Sequence, residues 1–434
     1  MLVYTLLYAA LTALPTLSAP QQIPLSLSNP SISLLTSLSP TSLAPALSLT
    51  LAQLPREHLK QLEQHVLSLP EKRLIQLARD GSDGNRIEVT EGGKALLTLR
   101  GHKFVDVTDD DEKTMSVYSG NTYPAELNHT AKELAPLFKH ISLDKMKSFI
   151  AEFSGFYNRY YRSEYGRQSQ QWLLSQLKSL HKEHNPSASI TYAEFKHSTW
   201  DQRSIIVHWA PSSAVAGPLA KSKKPEPSIV ILSAHQDSTN RLPFLRAPGA
   251  DDDGSGTTAL MQTFIALLTS RWEPKEHALE FHFYSAEEGG LLGSGEVARA
   301  YKEEGRKVRG MYHMDVVAYV KPGTTPVVGL LTDEDATEAA LVDFLELVIG
   351  EYAEIPAART KCGYSCSDHA RWKQNGFPSA CLAEGKFEDS NPNMHSTADV
   401  YDRPEYSFEH ISQFVRVGLG FVVELVGGLE KEAV

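Results

Sequence analysis

The chain has 434 residues, 41% of them hydrophobic and 22% charged, which excludes a fibrous or disordered protein and leaves room for a large domain plus a second module. A formal net charge of -11 argues against a nucleic-acid partner, since phosphate contacts need clustered Lys and Arg. Three cysteines are too few for a disulfide scaffold.

The N-terminus carries no charged side chain before Arg56. Residues 1–13 are almost wholly apolar, Pro15 interrupts them, and small residues end at Ala19, which is typical of a secretory signal peptide over residues 1–19. The alternative is a membrane anchor, but a span needs about 20 consecutive apolar residues and this run is shorter. We therefore expect a secreted protein with no membrane segment.

The region that follows lacks any catalytic pattern. Residues 20–55 are rich in Ser, Leu and Pro without a period, so we expect little fixed structure there. Apolar residues at helical spacing over 56–79, and short runs at 86–90, 94–99 and 103–107, predict one helix and three strands. We interpret residues 20–118 as a propeptide whose 56–118 part is a small α+β module. The alternative is an N-terminal domain that stays attached.

Residues 119–434 alternate between helix and strand patterns. Helices are predicted at 169–180 and 257–269, and strands at 204–209, 228–233, 278–284 and 310–314. Such alternation predicts a three-layer α/β/α domain around a central, twisted, mixed and mostly parallel sheet. Residues 211–227, rich in Pro, Ser and Lys, are predicted to be a surface insertion. Asn128 begins an Asn-His-Thr sequon and is the predicted glycosylation site.

Polar side chains follow the predicted strands or precede a predicted helix. They are His235 and Asp237, the run 251–253, Glu287 and Glu288, and Asp315, and late in the chain they are joined by His395 at the end of Asn391-Pro-Asn-Met-His395. In open parallel sheets, ligands bind beyond the carboxyl ends of the strands, so one pocket can gather all these segments.

Two histidines and three carboxylates in this set are ligands suited to zinc, cobalt or manganese. Five side chains can give two metals three ligands each only if one carboxylate bridges. With Asp252 as the bridge, one metal takes His235 and Asp315, and the other takes Glu288 and His395. Two dications, three carboxylates and one bridging hydroxide make a neutral cluster, and that hydroxide is the expected nucleophile.

The acidic residues left over have other predicted roles. Glu287 is adjacent to a ligand but spare, so we predict that it is the general base that passes a proton from water to the leaving amine. Asp237 is predicted to orient the His235 imidazole from behind. Asp253, beside the bridge, is predicted to shape the loop and not to bind metal.

These segments resemble the M28 family of zinc peptidases, and most closely its secreted aminopeptidases of bacterial and fungal type. The matching motifs occur in family order between about Tyr123 and Gly427. They are Ala234-His-Gln-Asp-Ser238, Ala247-Pro-Gly-Ala-Asp-Asp-Asp-Gly-Ser-Gly256, Ala286-Glu-Glu-Gly-Gly290 with Gly293-Ser294, Met314-Asp315, Cys362-Gly-Tyr-Ser-Cys-Ser-Asp-His369 and Asn391-Pro-Asn-Met-His395. The resemblance implies a zinc-peptidase fold, two zinc ions per chain, and removal of leucine-like residues from peptides with free N-termini.

The resemblance also implies details of the site. Asp252 would be the bridging ligand, joined to Asp253 by a cis peptide bond. Cys362 and Cys366 would form a short disulfide, and Tyr364 between them would donate a hydrogen bond to the developing oxyanion. The family has a hydrophobic pocket for the N-terminal side chain of the substrate, and our candidates for its lining are Phe387 and Met394.

Three other functions remain open at this point. A carboxypeptidase on the same fold would need an arginine clamp, and none lies in these motifs. A glutaminyl cyclase would use a single zinc ion, and a non-catalytic receptor relative would lack some of the ligands. We expect a monomer whose propeptide covers the active-site cleft until cleavage between Asp109 and Tyr123.

Overall fold

The computed structural model describes residues 54–78, 86–110, 122–211 and 228–429. They divide into two compact units, one comprising the residues up to 109 together with 241–244, and the other comprising the rest of the chain from 110 onwards. The predicted signal peptide lies outside the described residues, as do nearly all of the low-complexity stretch, most of the predicted cleavage region and residues 212–227 of the predicted insertion.

The first unit contains α1 (Arg56–Ser68), β1 (Lys72–Leu77), β2 (Arg86–Thr90), α2 (Lys94–Leu99) and β3 (Phe104–Asp106). The strands form an antiparallel sheet in the order β2-β1-β3. Ile75, Val89 and Leu97 form its buried core. The small α+β organisation that the sequence predicts is therefore present.

Two local predictions in this unit are wrong. Residues 94–99, predicted as a strand, form α2, because Lys, Ala and Leu favour helix and their buried face packs onto the sheet. Residues 72–77, predicted to continue the helical pattern, form β1. Pro70 does not extend α1, and Arg73 and Ile75 then alternate into the interior as strand residues do.

A buried ion cluster lies beside the core of the first unit. Lys94 Nζ lies 2.8 Å from Glu91 Oε2 and 3.0 Å from Asp106 Oδ2, and Arg73 Nε lies 2.7 Å from the same Asp106 oxygen. Burial alone would raise the pKa of Asp106, but the charges of Lys94 and Arg73 lower it to about 2. The buried carboxylate is therefore ionised because two cations contact it.

The second unit carries the remaining elements. Its helices are α3 (Ala135–Phe138), α4 (Leu143–Phe153), α5 (Glu164–His184), α6 (Gly254–Thr269), α7 (Leu292–Glu303), α8 (Ala339–Tyr352), α9 (His369–Gln374) and α10 (Phe408–Val426). Its strands are β4 (Ile190–Phe195), β5 (Ser204–Trp209), β6 (Ile229–His235), β7 (Ala278–Tyr284), β8 (Val308–Met314), β9 (Val328–Leu331), β10 (Ala357–Thr360) and β11 (Ser379–Ala383). A 3₁₀ turn spans Phe387–Asp389.

Eight strands form one mixed sheet in the order β10-β9-β11-β8-β6-β7-β5-β4. At its centre, β6 is parallel to both β7 and β8, and β8 is parallel to β11. The pairs β4–β5, β5–β7 and β9–β11 are antiparallel. Side chains of α4, α5, α6, α8 and α10 cover one face, and those of α7 and α9 cover the other. The predicted three-layer α/β/α fold is confirmed.

The central strands and α6 have little contact with solvent. Every residue of β6 and β7 is buried, as strands covered on both faces require. The side chain of Asp253 caps α6 by accepting the Gly256 N–H. A Cβ at Gly256 would lie 2.6 Å from the backbone oxygen of Met314, so the small residue lets the start of α6 approach the end of β8.

Other sequence predictions can be compared directly with the second unit. The strands predicted at 204–209 and 278–284 have those bounds, and the helix predicted at 169–180 lies within the longer α5, which Ser163 caps. Asn128 is exposed, and its amide nitrogen donates to Glu424 Oε2 at 3.0 Å. Over the four described ranges, we find no helix with the length and apolar character that a membrane crossing requires.

Candidate metal centre

Three candidate ligands lie at the carboxyl ends of the three central parallel strands. His235 is the last residue of β6, Glu288 follows β7 after a short turn, and Asp315 directly follows β8. Asp252 comes from the loop before α6, and His395 from the loop that precedes α10. Because the three strands are adjacent and parallel, their ends meet at one edge of the sheet, as the sequence predicts.

The five side chains form two groups that share Asp252. His235 and Asp315 complete one group and Glu288 and His395 the other, with the candidate ligand atoms of each group within 4.8 Å of one another. Asp252 Oδ1 lies 3.2 Å from His235 Nε2, and Oδ2 lies 3.1 Å from His395 Nε2. Asp315 Oδ1 is 3.5 Å from His235 Nε2, and Glu288 Oε2 is 2.9 Å from His395 Nε2. Each oxygen of Asp252 thus faces a different imidazole, as a bridging carboxylate requires.

The electrostatic environment of these groups attracts cations. Burial alone would lower the pKa of His395, but Glu288 and Asp252 raise it to about 10. Burial likewise opposes a charged His235, yet Asp315 and Asp252 raise its pKa well above the ordinary value. Three carboxylates therefore stabilise positive charge where they converge, and two divalent cations would neutralise the same field.

The donor set fits zinc. It consists of imidazole nitrogens and carboxylate oxygens, which zinc binds readily. His235 Nε2 is fully buried and makes no hydrogen bond to any described residue, whereas Nδ1 lies 3.1 Å from the carbonyl oxygen of Asp237. A ring fixed through one nitrogen, with the other free and directed at carboxylates, has the arrangement of a metal ligand.

Asp237 also positions the loop after β7. Its Oδ1 lies 3.5 Å from His235 Nδ1, so the carbonyl group makes the closer contact to the ring. The carboxylate instead accepts the backbone N–H of Glu287 on Oδ1, at 3.1 Å, and that of Glu288 on Oδ2, at 3.2 Å. One residue therefore orients both an imidazole and the loop that carries a ligand and the candidate base. The sequence indicated the first role only.

Asp253 joins three segments without entering either ligand group. The peptide bond between Asp252 and Asp253 is cis, as the resemblance implies. Asp253 Oδ2 accepts the backbone N–H of His235 at 3.2 Å. Its Oδ1 accepts the N–H groups of Gly256 at 2.8 Å and Val316 at 3.2 Å. The side chain thereby fixes the end of β6, the start of α6 and the turn after β8 relative to one another.

Backbone conformation near the site is unusual at three positions. Ala286, Val316 and His395 have φ values of 60°, 50° and 57°. Left-handed backbone is uncommon for residues other than glycine and is strained for a β-branched valine. Such conformations persist where the surrounding contacts over-determine them, and they are typical of functional sites.

Glu287 lies beside the ligands but outside both groups. Burial raises the pKa of Glu287, and Glu288 and Asp315 raise it further against an opposing effect of His235. A carboxyl group whose proton affinity is raised, next to a metal site, is suited to accept and release a proton.

Tyr364 lies in the loop closed by the disulfide between Cys362 and Cys366. Asp333 fixes this loop by accepting the N–H of Cys362 on Oδ2 at 2.9 Å and that of Gly363 on Oδ1 at 2.8 Å. Burial raises the pKa of Tyr364, and the negative charge of the nearby carboxylates raises it further. The hydroxyl therefore remains a hydrogen-bond donor at neutral pH.

The two predicted pocket residues both lie in the segment between β11 and α10, which also carries His395. Phe387 is 41% exposed, and its ring centroid is 6.4 Å from that of Tyr364. Met394 is half-buried and directly precedes His395.

Three buried residues near the site were not found from the sequence. Arg159, between α4 and α5, donates to the carbonyl oxygens of Gln236 and Gly249, both at 2.8 Å. Glu384 directly follows β11, and Asp399 lies four residues after His395. A position at a strand end or close to a candidate ligand could have identified both of them from the sequence. Arg159 had no such signal, because it is far in sequence from every ligand.

Comparison with known proteins places these features in context. Residues 215–417 match Peptidase family M28. Leucine aminopeptidase 1 of Coccidioides posadasii (strain RMSCC 757 / Silveira) is 39% identical over 374 residues, covering 83% of this chain and 90% of that protein. Probable aminopeptidase YDR415C of Saccharomyces cerevisiae is 38% identical over 356 residues, covering 78% and 89%. The crystal structure of the Legionella pneumophila LapA aminopeptidase matches with a TM-score of 0.70 at 24% identity, covering 83% and 99%.

Proposed function

The chain belongs to peptidase family M28 and is a hydrolase that acts as an aminopeptidase, and we propose that it is a secreted, two-zinc enzyme that prefers leucine-like N-terminal residues. The observation that supports two zinc ions is the position of Asp252, whose oxygens face His235 and His395 of two different groups. A single-metal site would need only one of these groups.

We assign His235, Asp252 and Asp315 to one zinc ion, and Asp252, Glu288 and His395 to the other. When bound, the two ions supply Lewis acidity that lowers the pKa of a water molecule and polarises the scissile carbonyl group. The protein holds the ligand side chains in place, because Asp237 and other buried carboxylates accept hydrogen bonds from the backbone of the loops that carry the ligands.

Glu287 is the general base in this proposal. It takes the proton of the attacking water and delivers it to the nitrogen of the leaving amine. The backbone N–H of Glu287 donates to the carboxylate of Asp237, whose backbone carbonyl group contacts the His235 ring, so the base and a ligand are positioned by one residue. This coupling keeps the proton acceptor next to the position where the water must lie.

Tyr364 donates its hydroxyl hydrogen to the oxygen that becomes negative as the water attacks. Its half-buried position, its retained proton at neutral pH and its place in the loop closed by the disulfide support this role. Phe387 and Met394 are the proposed contacts of the apolar N-terminal side chain, and the relatives named leucine aminopeptidase support that preference.

We further propose secretion of a monomer through a signal peptide at residues 1–19, with residues 20–118 as an inhibitory propeptide and residues 119–434 as the catalytic domain. The apolar N-terminus, the disulfide and the exposed sequon at Asn128 support an extracellular location. If the full-length and trimmed proteins cleave substrate equally fast, the inhibitory role is refuted.

The first experiment compares leucine p-nitroanilide with its N-acetylated form, using trimmed protein with and without a zinc chelator. Chelator-sensitive release from the free amine alone is the expected result. Zinc analysis of the same sample should give two ions per chain. Equal release from both substrates would refute the requirement for a free amine, and one ion per chain would refute the two-zinc assignment.

A further inference from the structure

Three buried carboxyl side chains lie behind the metal-binding residues and belong to neither ligand group. They are Asp251 and Asp399, which are 0% and 1% exposed, and Glu384, which is 4% exposed. Burying a carboxyl group is unfavourable unless hydrogen bonds replace its hydration. The partners of these groups therefore indicate why they are present.

Asp399 connects the segment of one ligand to the backbone of the bridging residue. It lies four residues after His395, and its Oδ1 and Oδ2 accept the N–H groups of Asp251 at 3.0 Å and Asp252 at 3.1 Å. Both oxygens are thus used by consecutive backbone amides. The position of the bridging carboxylate depends on a residue from the His395 segment.

Glu384 connects two other ligand segments. Its Oε1 accepts the N–H of Asn391 at 2.8 Å, in the segment that leads to His395. Its Oε2 accepts the N–H of Tyr319 at 2.9 Å, in the segment that follows Asp315. Neither amide belongs to a strand of the sheet, so the carboxyl group of Glu384 takes the place of a backbone partner.

Asp251 completes the connection to the bridging residue. It is adjacent to Asp252 in the chain. Asp251 Oδ2 accepts the side-chain amide of Asn391 at 2.9 Å, and Oδ1 accepts the N–H of Ala318 at 3.0 Å. The segments that carry Asp252, the ligand after β8 and the ligand before α10 therefore meet at Glu384 and its partners.

From these contacts we infer that Glu384 is a positioning residue for the aminopeptidase reaction, which holds Asp315 and His395 in register with the bridging Asp252. This inference rests on the proposed two-zinc function. An apolar side chain would pack more favourably in the same volume. It could not accept the two amides, and each ligand segment would then be free to shift by itself.

The test compares purified zinc-loaded wild type with Glu384→Ala, Glu384→Gln and the control Glu388→Ala. Glu388 lies four residues away on the same segment and is exposed. Each protein is dialysed against graded chelator, and bound zinc, kcat and thermal unfolding are measured on the same samples. Loss of a group that orients metal ligands typically lowers metal affinity or activity about 10- to 100-fold.

For Glu384→Ala we expect zinc to be lost at a free chelator concentration about 10- to 100-fold lower than for wild type. We also expect a reduced kcat that saturating zinc partly restores. Glu384→Gln keeps one acceptor oxygen for one of the two amides, so its zinc loss should lie between those of wild type and the alanine variant. Glu388→Ala should match wild type. If the alanine variant does not fold, the near-isosteric glutamine variant decides.

Failure of the proposed function and failure of the positioning role would give different results. Wild type without chelator-sensitive activity would refute the proposed function itself. An active wild type, with both Glu384 variants retaining normal zinc binding and kcat, would overturn the positioning role, even if their thermal unfolding temperatures were lower.

Discussion

Replacement of Arg159 by methionine is expected to destabilise the second unit by about 3 kcal/mol. The guanidinium group is fully buried and contacts the ring of Phe153, with Cζ 4.2 Å from its centroid. It donates to three carbonyl oxygens, those of Gln236, Pro248 and Gly249. Burial lowers its pKa to about 10, so it remains charged at neutral pH.

Three hydrogen bonds from a charged donor contribute about 1.5 kcal/mol each at the lower end of their range, or about 4 to 5 kcal/mol together. Methionine also removes the cost of burying the charge, which offsets part of this loss. Arg159→Lys should lie between methionine and wild type, since one ammonium group cannot reach all three carbonyls with the geometry of a guanidinium.

The assay is equilibrium urea unfolding of the zinc-loaded protein, followed by tryptophan fluorescence. The matched control is Arg167→Met, which removes a partly exposed guanidinium paired with Glu164 and is expected to change the unfolding free energy far less than Arg159→Met. If Arg159→Met and Arg167→Met have the same unfolding free energy, the structural argument is refuted. Since Gln236 and Gly249 lie between His235 and Asp252, the Arg159 variant should also bind zinc less tightly.

Three other changes test separate parts of the molecule. Glu287→Gln keeps the side-chain volume but removes the base, so kcat should fall about 10²- to 10⁴-fold with bound zinc unchanged, and full activity would exclude this residue as the base. Gly293→Ala places a methyl carbon 1.9 Å from the carbonyl oxygen of Ser285. The loop before α7 must then move, and a lower Tm with less bound zinc is expected, whereas a wild-type Tm would contradict the close approach of these two segments. Asp106 has a folded pKa of about 2, below its ordinary value of 3.8, so it stabilises the first unit by about 2 kcal/mol above pH 4 and loses this contribution as the pH falls towards 2. Hydrogen exchange of β1 and β3 should show that dependence in wild type and not in Asp106→Asn, and identical profiles would refute it.

Much of the second unit could be predicted from the sequence because its central strands are buried on both faces. Such strands are continuous apolar runs, and the polar residue that ends each run is conspicuous. His235 and Asp315 were found in this way. The family resemblance then supplied the disulfide loop and the proposed role of Tyr364, which a spacing of four between two cysteines does not establish.

The remainder depends on contacts between residues distant in the chain. Arg159 has no local pattern that distinguishes it from a surface residue, and Glu384 has only its position directly after β11. The roles of both follow from the carbonyl and amide groups that the fold brings to them. The helix at Lys94–Leu99 was missed for a related reason. A six-residue element is too short for its period to be recognised. The strand patterns on either side of it led to the prediction of a strand, although its own residues favour a helix.

The distribution of the ligands along the chain has a consequence for the order of folding. The five side chains extend from His235 to His395, on segments that come together only after β6, β7 and β8 have paired. Contacts between residues so far apart form late, since the loop-closure entropy must be overcome first. If zinc binds as proposed, it can therefore find its complete set of ligands only in a chain whose sheet is already assembled. The metal should slow unfolding by binding the native state, and leave the rate of folding unchanged.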